Sequence, residues 1–288
     1  MTLKSPVRRT FVLLMAGMLA CAGLAIAACG SGSNDNGRAT PTSSASAAQP
    51  LSGPVTVFAA ASLTDAFNEI GAEFKKAHPG VEVIFNFAGS AALRTQLEQG
   101  ARADVFASAD TMQMDSARQS GVIAGSGKIF VRNSLTIITP SNNPAGVNAV
   151  ADLKRAGLKL VLAAPEVPVG NYTRQMLTKT SADPAYGAGF SDDVLRNLVS
   201  NEANVKQVVA KVELGEADAG VVYGSDVTPS VAPKLKTVAI PASINVIAEY
   251  PIALTRDASN PKAAQAFIDF VSSGAGQDIL RKWGFQTS

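Results

Sequence analysis

Short apolar runs alternate with segments of helical periodicity along the chain from about residue 54 onward. Residues 55–59 (VTVFA) are typical of a buried strand, and residues 63–77 place their apolar side chains at helical spacing. The same criteria predict strands at 81–87, 104–107, 135–139, 160–163, 219–223, 237–240 and 248–254, and helices at 91–99, 111–120, 150–155, 172–179, 192–197, 205–214, 261–272 and 275–282. Such alternation gives mixed or parallel sheets with helices on both faces. The sequence therefore predicts an α/β fold.

The strands and helices fall into two successive series, without an internal sequence repeat. A chain of 288 residues is long enough for one large domain or two modest lobes. Two α/β series in one chain predict two lobes, with a cleft between them that can take a ligand.

The first 28 residues have the features of an export signal. Lys4, Arg8 and Arg9 precede an uncharged apolar run from Phe11 to Ala28 that ends in small residues. The run is long enough to compete as a transmembrane helix, but residues 30–34 lack the basic flank of a stop-transfer segment. We therefore predict a signal peptide over residues 1–28 and an exported protein.

Residues 26–29 (IAAC) resemble the bacterial lipoprotein box, in which the cysteine is lipidated and becomes the first residue. Cys21 follows a weaker version of the box, so Cys29 is the favoured lipidation site. Residues 29–53 are rich in Ser, Ala, Gly, Thr and Pro, which predicts a flexible, lipid-anchored tether. The protein is then expected on the outer face of the cytoplasmic membrane or in the periplasm.

Charge and cysteine content exclude several function classes. Without residues 1–28, 22 basic residues stand against 23 acidic ones, which gives no electrostatic basis for binding nucleic acid. Both cysteines lie at or before residue 29, so the folded part has no disulfide, thiolate metal site or cysteine nucleophile.

Four strand-to-helix junctions are small, hydroxyl-bearing or glycine-containing, and nearly free of charge: residues 59–65, 87–93, 165–171 and 204–205. In open α/β sheets ligands bind beyond the carboxyl ends of strands, where helix N-termini offer unpaired N–H groups. Ser62 and Ser90 could contact a ligand there, or could only cap their helices, Ser62 in a capping box with Asp65. Residues 165–171 form either a ligand loop or an ordinary turn before a helix, and Asn204 is a helix cap.

Tyr223 ends a buried strand beside Gly224, so its hydroxyl could face the cleft or lie in the core. Neutral hydroxyls, backbone amides and helix dipoles can hold an ionised oxyanion without a buried cation, whose desolvation is costly. The junctions together therefore favour a site for a small oxyanion.

At these residues the sequence resembles the molybdate-binding proteins of bacterial ABC importers, over about residues 55–285. The matching segments are 57–63 (VFAAASL), 103–110 (ADVFASAD), 220–226 (GVVYGSD) and 249–251 (EYP). The resemblance implies a two-lobed periplasmic-binding-protein fold of type II, with molybdate or tungstate in the cleft between the lobes. The implied ligand contacts are Ser62 and Ser90 through hydroxyl and backbone N–H, Val169 and Val205 through backbone N–H, and Tyr223 through its hydroxyl.

The resemblance also implies the lobe boundaries and the partners. Residues 54–134 and 249–288 would form lobe 1, residues 135–248 lobe 2, and the two crossings a hinge. The chain would act as a monomer without catalytic activity, a cofactor or a bare metal ion, and would deliver its ligand to the permease of an ABC importer.

Two alternatives remain open from the sequence. Sulfate, phosphate or an organic anion could be the ligand, since the sequence gives no cavity size. A secreted serine-dependent hydrolase would need a base, and His78, the only histidine, stands at a predicted helix end. Asp104 and Asp110 could form a carboxylate pair, although turn formation is the simpler role for them.

Overall fold

The computed structural model describes residues 50–287, which contain nine strands and eight α-helices. The strands are β1 (Gly53–Ala60), β2 (Val81–Ala88), β3 (Val105–Ala107), β4 (Lys128–Pro140), β5 (Leu160–Ala163), β6 (Leu198–Glu202), β7 (Ala219–Tyr223), β8 (Leu235–Val238) and β9 (Ile247–Leu254). The helices are α1 (Thr64–Ala77), α2 (Ser90–Glu98), α3 (Thr111–Gln119), α4 (Pro168–Ala182), α5 (Phe190–Leu195), α6 (Val205–Glu213), α7 (Pro261–Val271) and α8 (Gly274–Lys282). Within this range no helix is both long and apolar enough to span a bilayer.

The strands are hydrogen-bonded in the order β2-β1-β3-β9-β4-β7-β5-β6, with β8 also paired to β4. The pairs β1–β2, β1–β3, β5–β6 and β5–β7 are parallel, whereas β9 and β4 run antiparallel to their neighbours. The predicted mixed α/β architecture is confirmed.

The long strand β4 connects two groups of strands. Its first part pairs with β9 as far as Ser134, opposite Ile247. Its second part pairs with β7 from Leu135, opposite Tyr223, and with β8. We call β1, β2, β3 and β9 the first half-sheet and β5, β6, β7 and β8 the second. The lobe boundaries proposed from the sequence stay predictions.

The packing of each half-sheet explains why the sequences of its strands are short apolar runs. In the first, Phe67 of α1 packs against Phe85, Phe130 and Phe267, with ring centroids about 6 Å apart. In the second, every residue of β5 and β7 is buried. Strands covered by helices on both faces carry few polar residues, which is the pattern that predicted them.

Several local predictions were wrong. Helix α4 begins at Pro168 and not at Tyr172, because proline at the first helical position has the required φ and no N–H to satisfy. Strand β6 was missed, since its sequence, LVSNE, alternates half-buried and exposed residues at a sheet edge and has no apolar run. Residues 150–154 form a 3-10 turn where an α-helix was predicted.

Candidate oxyanion site

One small cavity is lined by residues from both half-sheets. All five predicted ligand residues, Ser62, Ser90, Val169, Val205 and Tyr223, line it. The remaining lining residues are Ala60, Ala61, Gly89, Ala109, Val167, Pro168 and Asn204. The cavity volume is about 10 Å³, far less than the roughly 300–1,000 Å³ of pockets for drug-sized ligands. A cavity of this size excludes a bulky organic ligand.

Strand register brings Ser62 and Ser90 together. Ala60 at the end of β1 pairs with Ala88 at the end of β2, and each serine follows its strand by two residues. Because the strands are parallel, both serines lie at the same edge of the first half-sheet.

Neither serine caps a helix through its side chain. The cap positions of α1 and α2 are Leu63 and Gly89, and no side-chain hydrogen bond is made from either. The Ser62 hydroxyl is instead 3.0 Å from the Tyr250 hydroxyl, and Ser90 Oγ accepts a 3.0 Å hydrogen bond from the backbone N–H of Ala109. The capping interpretation was therefore wrong for both serines. The hydroxyl hydrogen of Ser90 is not used in its bond to Ala109 and can be donated to another acceptor.

The starts of α4 and α6 form the opposite wall. Ala163 at the end of β5 pairs with Glu202 at the end of β6, so the two helices start at one edge of the second half-sheet. Val169 is the second residue of α4, and Val205 is the first residue of α6. First-turn N–H groups have no acceptor within their helix and carry the positive end of its dipole. Asn204 caps α6, as predicted, by accepting from the N–H of Gln207.

Tyr223 places a buried hydroxyl at the cavity. Its side chain is 1% exposed, and its Oη has no hydrogen-bond partner among residues 50–287. Burial raises the pKa of the Tyr223 hydroxyl well above its ordinary value, and the nearby Tyr250 raises it further, so the group stays protonated. A buried donor without a partner costs about 1–3 kcal/mol, which an anionic ligand in the cavity would offset.

Of the described residues that line the cavity, none carries a charge. Two buried acids lie near it, and burial raises the pKa of Asp110 and that of Asp226 to about 6 each. Asp226 accepts from the N–H of Tyr223 and has Lys206 Nζ 3.7 Å from its other oxygen. An anion in this cavity would therefore be held by neutral donors and helix dipoles.

Contacts around the cavity join the two half-sheets. Lys206 Nζ of α6 is 2.8 Å from Asp65 Oδ2 of α1. The Gln113 side chain of α3 donates to the carbonyl of Glu166 at 3.1 Å. A Cβ atom added to Gly89 would lie 2.5 Å from the Ala203 carbonyl oxygen, so only glycine permits this approach.

Sequence reasoning missed Tyr250 as a contact of the site. It lies in β9, 188 residues from Ser62, and local spacing cannot reveal such a pair. The one available signal was its place in the segment EYP, which contributed to the family resemblance.

The geometry does not support the hydrolase alternative. His78 follows the last residue of α1, and its ring lies 4.6 Å from that of Phe74 in a tilted arrangement. Ser62 precedes the same helix, about 20 Å away for a 14-residue helix. The Asp104 carboxylate accepts from the N–H groups of Thr56 and Asn260, and Asp110 caps α3. Both aspartates therefore have structural roles, as the simpler interpretation predicted.

Comparison with known proteins identifies the family. The profile described as "Bacterial extracellular solute-binding protein" matches residues 55–286. The chain belongs to this family. Its members are solute-binding proteins rather than enzymes, and they act outside the cytoplasm.

The similarity extends to proteins named for molybdate. The chain is 43% identical over 260 residues to the molybdate-binding protein ModA of Mycobacterium tuberculosis, covering 90% of this chain and 92% of that protein. It is 34% identical over 242 residues to ModA of Escherichia coli, covering 81% and 89%. The resemblance stated from the sequence is therefore confirmed.

A solved structure confirms the fold. The periplasmic molybdate-binding protein of Azotobacter vinelandii superimposes with a TM-score of 0.70 at 18% identity, covering 81% of this chain and 99% of that one. The predicted periplasmic-binding-protein fold is thus shown. The predicted signal peptide, the tether up to residue 49 and the lipidation site Cys29 lie outside the described residues.

Proposed function

We propose that this protein binds molybdate or tungstate in the cavity between the half-sheets and delivers it to the permease of an ABC importer. The observation that carries the proposal is the uncharged cavity. It combines serine hydroxyls, helix-start amides and a tyrosine hydroxyl that has no partner within residues 50–287. Such a donor set suits a ligand that offers only acceptors. The 43% identity to ModA of M. tuberculosis supports molybdate within that class.

In the proposed mode of binding, the oxyanion bridges the two walls. Ser62 and Ser90 donate from lobe 1 (residues 54–134 and 249–288), and Tyr223 with the amides of Val169 and Val205 donates from lobe 2 (135–248). Only the closed arrangement offers both donor sets, so the ligand stabilises it. The importer then recognises that closed shape. No cofactor takes part, and the protein works as a monomer.

Residues 1–28 direct export in this proposal, and Cys29 carries the lipid that holds the protein at the membrane. Cys29→Ser should abolish incorporation of radiolabelled fatty acid and release the protein from the membrane fraction, whereas Cys21→Ser should do neither. Labelling lost in Cys21→Ser and kept in Cys29→Ser would move the anchor to Cys21.

Isothermal titration calorimetry tests the ligand. The purified, ligand-free protein is titrated with molybdate, tungstate, sulfate and phosphate at one pH. We expect tight binding of molybdate and tungstate and weaker binding of sulfate and phosphate. Sulfate binding at equal or better affinity than molybdate would replace the proposed ligand with sulfate.

A further inference from the structure

Lys206 lies between two carboxylates that belong to opposite half-sheets. It is the second residue of α6 and directly follows Val205, which lines the cavity. Its Nζ is 2.8 Å from Asp65 Oδ2 of α1, on the side of the first half-sheet. The same Nζ is 3.7 Å from Asp226 Oδ1, three residues after the end of β7 in the second half-sheet. Among residues 50–287, the pair Lys206–Asp65 is the only ion pair that joins the two half-sheets.

The surroundings of Asp226 fix its position and leave one of its oxygens without a donor. The side chain is fully buried, and its Oδ2 accepts from the N–H of Tyr223 at 3.1 Å. Its Oδ1 has no hydrogen-bond partner among residues 50–287, since 3.7 Å from Lys206 Nζ is too long for a hydrogen bond. A buried carboxylate oxygen without a donor is costly. Asp226 therefore has a strong need for the ammonium group of Lys206.

Asp65 depends on Lys206 much less. Its side chain is 36% exposed, so water can solvate the carboxylate when no cation is near. It also stands in the first turn of α1, where the helix dipole stabilises a negative charge. Asp65 can therefore give up its ion pair at a lower cost than Asp226.

The two carboxylates compete for one lysine. An ammonium group is a compact charge on a flexible stem, and a shift of about 1 Å would bring it within hydrogen-bond distance of Asp226 Oδ1. In an open cleft Asp65 moves away with the first half-sheet, so Lys206 is expected to pair with Asp226 alone. Closure brings Asp65 to Lys206 and draws the ammonium away from Asp226 Oδ1, which is the arrangement in this structure.

We propose that Lys206 is a positioning residue that exchanges Asp226 in the open cleft for Asp65 in the closed one, and thereby sets how readily the cleft closes on its ligand. The inference rests on the proposed function, in which closure assembles the two donor sets. The Lys206–Asp65 pair holds the start of α6, with the N–H of Val205, beside the first half-sheet. Apparent affinity depends on the fraction of the protein in the binding-competent state. Loss of either carboxylate should therefore change the affinity, and the two losses should act in opposite directions.

Calorimetric titration of Asp65→Asn with molybdate at pH 7.5 is the decisive test. The substitution removes the lysine's partner in the closed arrangement and should weaken binding about 2- to 5-fold, the range for a partly exposed ion pair. A simple effect of charge has the opposite sign, because removal of a carboxylate near an anion site strengthens anion binding. Asp65 is partly exposed, so the variant should fold, and urea unfolding checks this.

Asp226→Asn removes the lysine's partner in the open arrangement and should tighten molybdate binding about twofold or more. A double-mutant cycle then tests whether the Asp65 effect acts through the lysine. In a Lys206→Met background, Asp65→Asn should no longer weaken binding. Should the buried Asp226→Asn variant fail to fold, the cycle between Asp65 and Lys206 tests the exchange without it.

Glu69→Gln is the matched control for loss of a carboxylate on α1. Glu69 lies one turn beyond Asp65 on the same helix, and Lys282 Nζ is 2.8 Å from its Oε1. Its partner belongs to α8, which packs on α1 and does not approach from the second half-sheet. Glu69→Gln should therefore leave the dissociation constant for molybdate unchanged.

The outcomes separate the two proposals. A wild-type protein that binds no tetrahedral oxyanion refutes the proposed function. A wild-type protein that binds molybdate, combined with an Asp65→Asn variant that binds it as tightly or more tightly, overturns the role of Lys206 and leaves the function intact. A loss of affinity in Asp65→Asn that persists in the Lys206→Met background overturns that role as well.

Discussion

Replacing Tyr223 with phenylalanine should change ligand binding and stability in opposite directions. The substitution keeps the ring that packs 5.7 Å from Tyr250 and removes only the hydroxyl, which is buried without a partner among the described residues. A hydrogen bond from this hydroxyl to a charged oxygen contributes about 1.5–3 kcal/mol. Tyr223→Phe should therefore raise the dissociation constant for molybdate about 10- to 150-fold.

In the absence of ligand, the same substitution should stabilise the protein. An unpartnered buried hydroxyl costs about 1–3 kcal/mol, so its removal should raise the free energy of unfolding by about 1 kcal/mol. At a ligand concentration about 1,000 times the wild-type dissociation constant, the wild type gains about 4.1 kcal/mol. A variant that binds about 100-fold more weakly gains only about 1.4 kcal/mol at that concentration. The order of stability of the two proteins should thus invert when ligand is added.

Urea unfolding without and with molybdate measures the stability of the ligand-free protein and the stability gained from the ligand. Calorimetry gives the dissociation constants directly. Tyr186→Phe is the control for loss of a tyrosine hydroxyl, because the Tyr186 ring packs on Phe190 and does not line the cavity. A dissociation constant within twofold of wild type would remove Tyr223 from the site. A Tyr223→Phe protein less stable than wild type in both conditions would show that its hydroxyl has a structural partner.

Three further predictions concern other residues near the cavity. Ser90→Ala should weaken molybdate binding by about 10-fold or more in calorimetry, and an unchanged dissociation constant would exclude Ser90 as a ligand contact. Gly89→Ala should weaken binding about as much, because the added Cβ would meet the Ala203 carbonyl oxygen at 2.5 Å and push the two walls of the cavity apart; normal affinity would show that this close approach is not needed. Burial raises the pKa of Asp110 from 3.8 to about 6, so its contribution to stability is full below pH 4 and is lost as pH rises through 6. Asp110→Asn should therefore be more stable than wild type at pH 7.5 by up to about 3 kcal/mol, and it should lose this advantage near pH 4. A difference in the free energy of urea unfolding between the two proteins that stays constant from pH 4 to pH 7.5 would contradict the assignment.

The sequence predicted the fold class because buried parallel strands are strongly apolar. β1, β5 and β7 are covered by helices on both faces, so their side chains are mostly apolar and the segments are readily assigned as strands. Strand β6 escaped prediction because it lies at the sheet edge and alternates half-buried and exposed residues. The start of α4 was misplaced because Pro168 and Gly170 were interpreted as turn residues, whereas proline also suits the first position of a helix.

The candidate site was predictable in part for a similar reason. Ser62, Ser90 and the start of α6 follow strand ends, and parallel strand ends meet at one edge of a sheet. The role of the serine side chains was not predictable. Ser62 contacts Tyr250 across 188 residues of sequence, and Ser90 accepts from Ala109 in the next βα connection. Helix capping is a local alternative for any serine at a helix start, and only tertiary contacts distinguish the two roles.

Calorimetric titration of the ligand-free wild-type protein with molybdate, in competition with sulfate, tests the central claim most directly. The account predicts one molybdate per chain, bound more tightly than sulfate at the same pH and ionic strength. Sulfate binding as tight as molybdate, or no heat of binding with either anion, would contradict it.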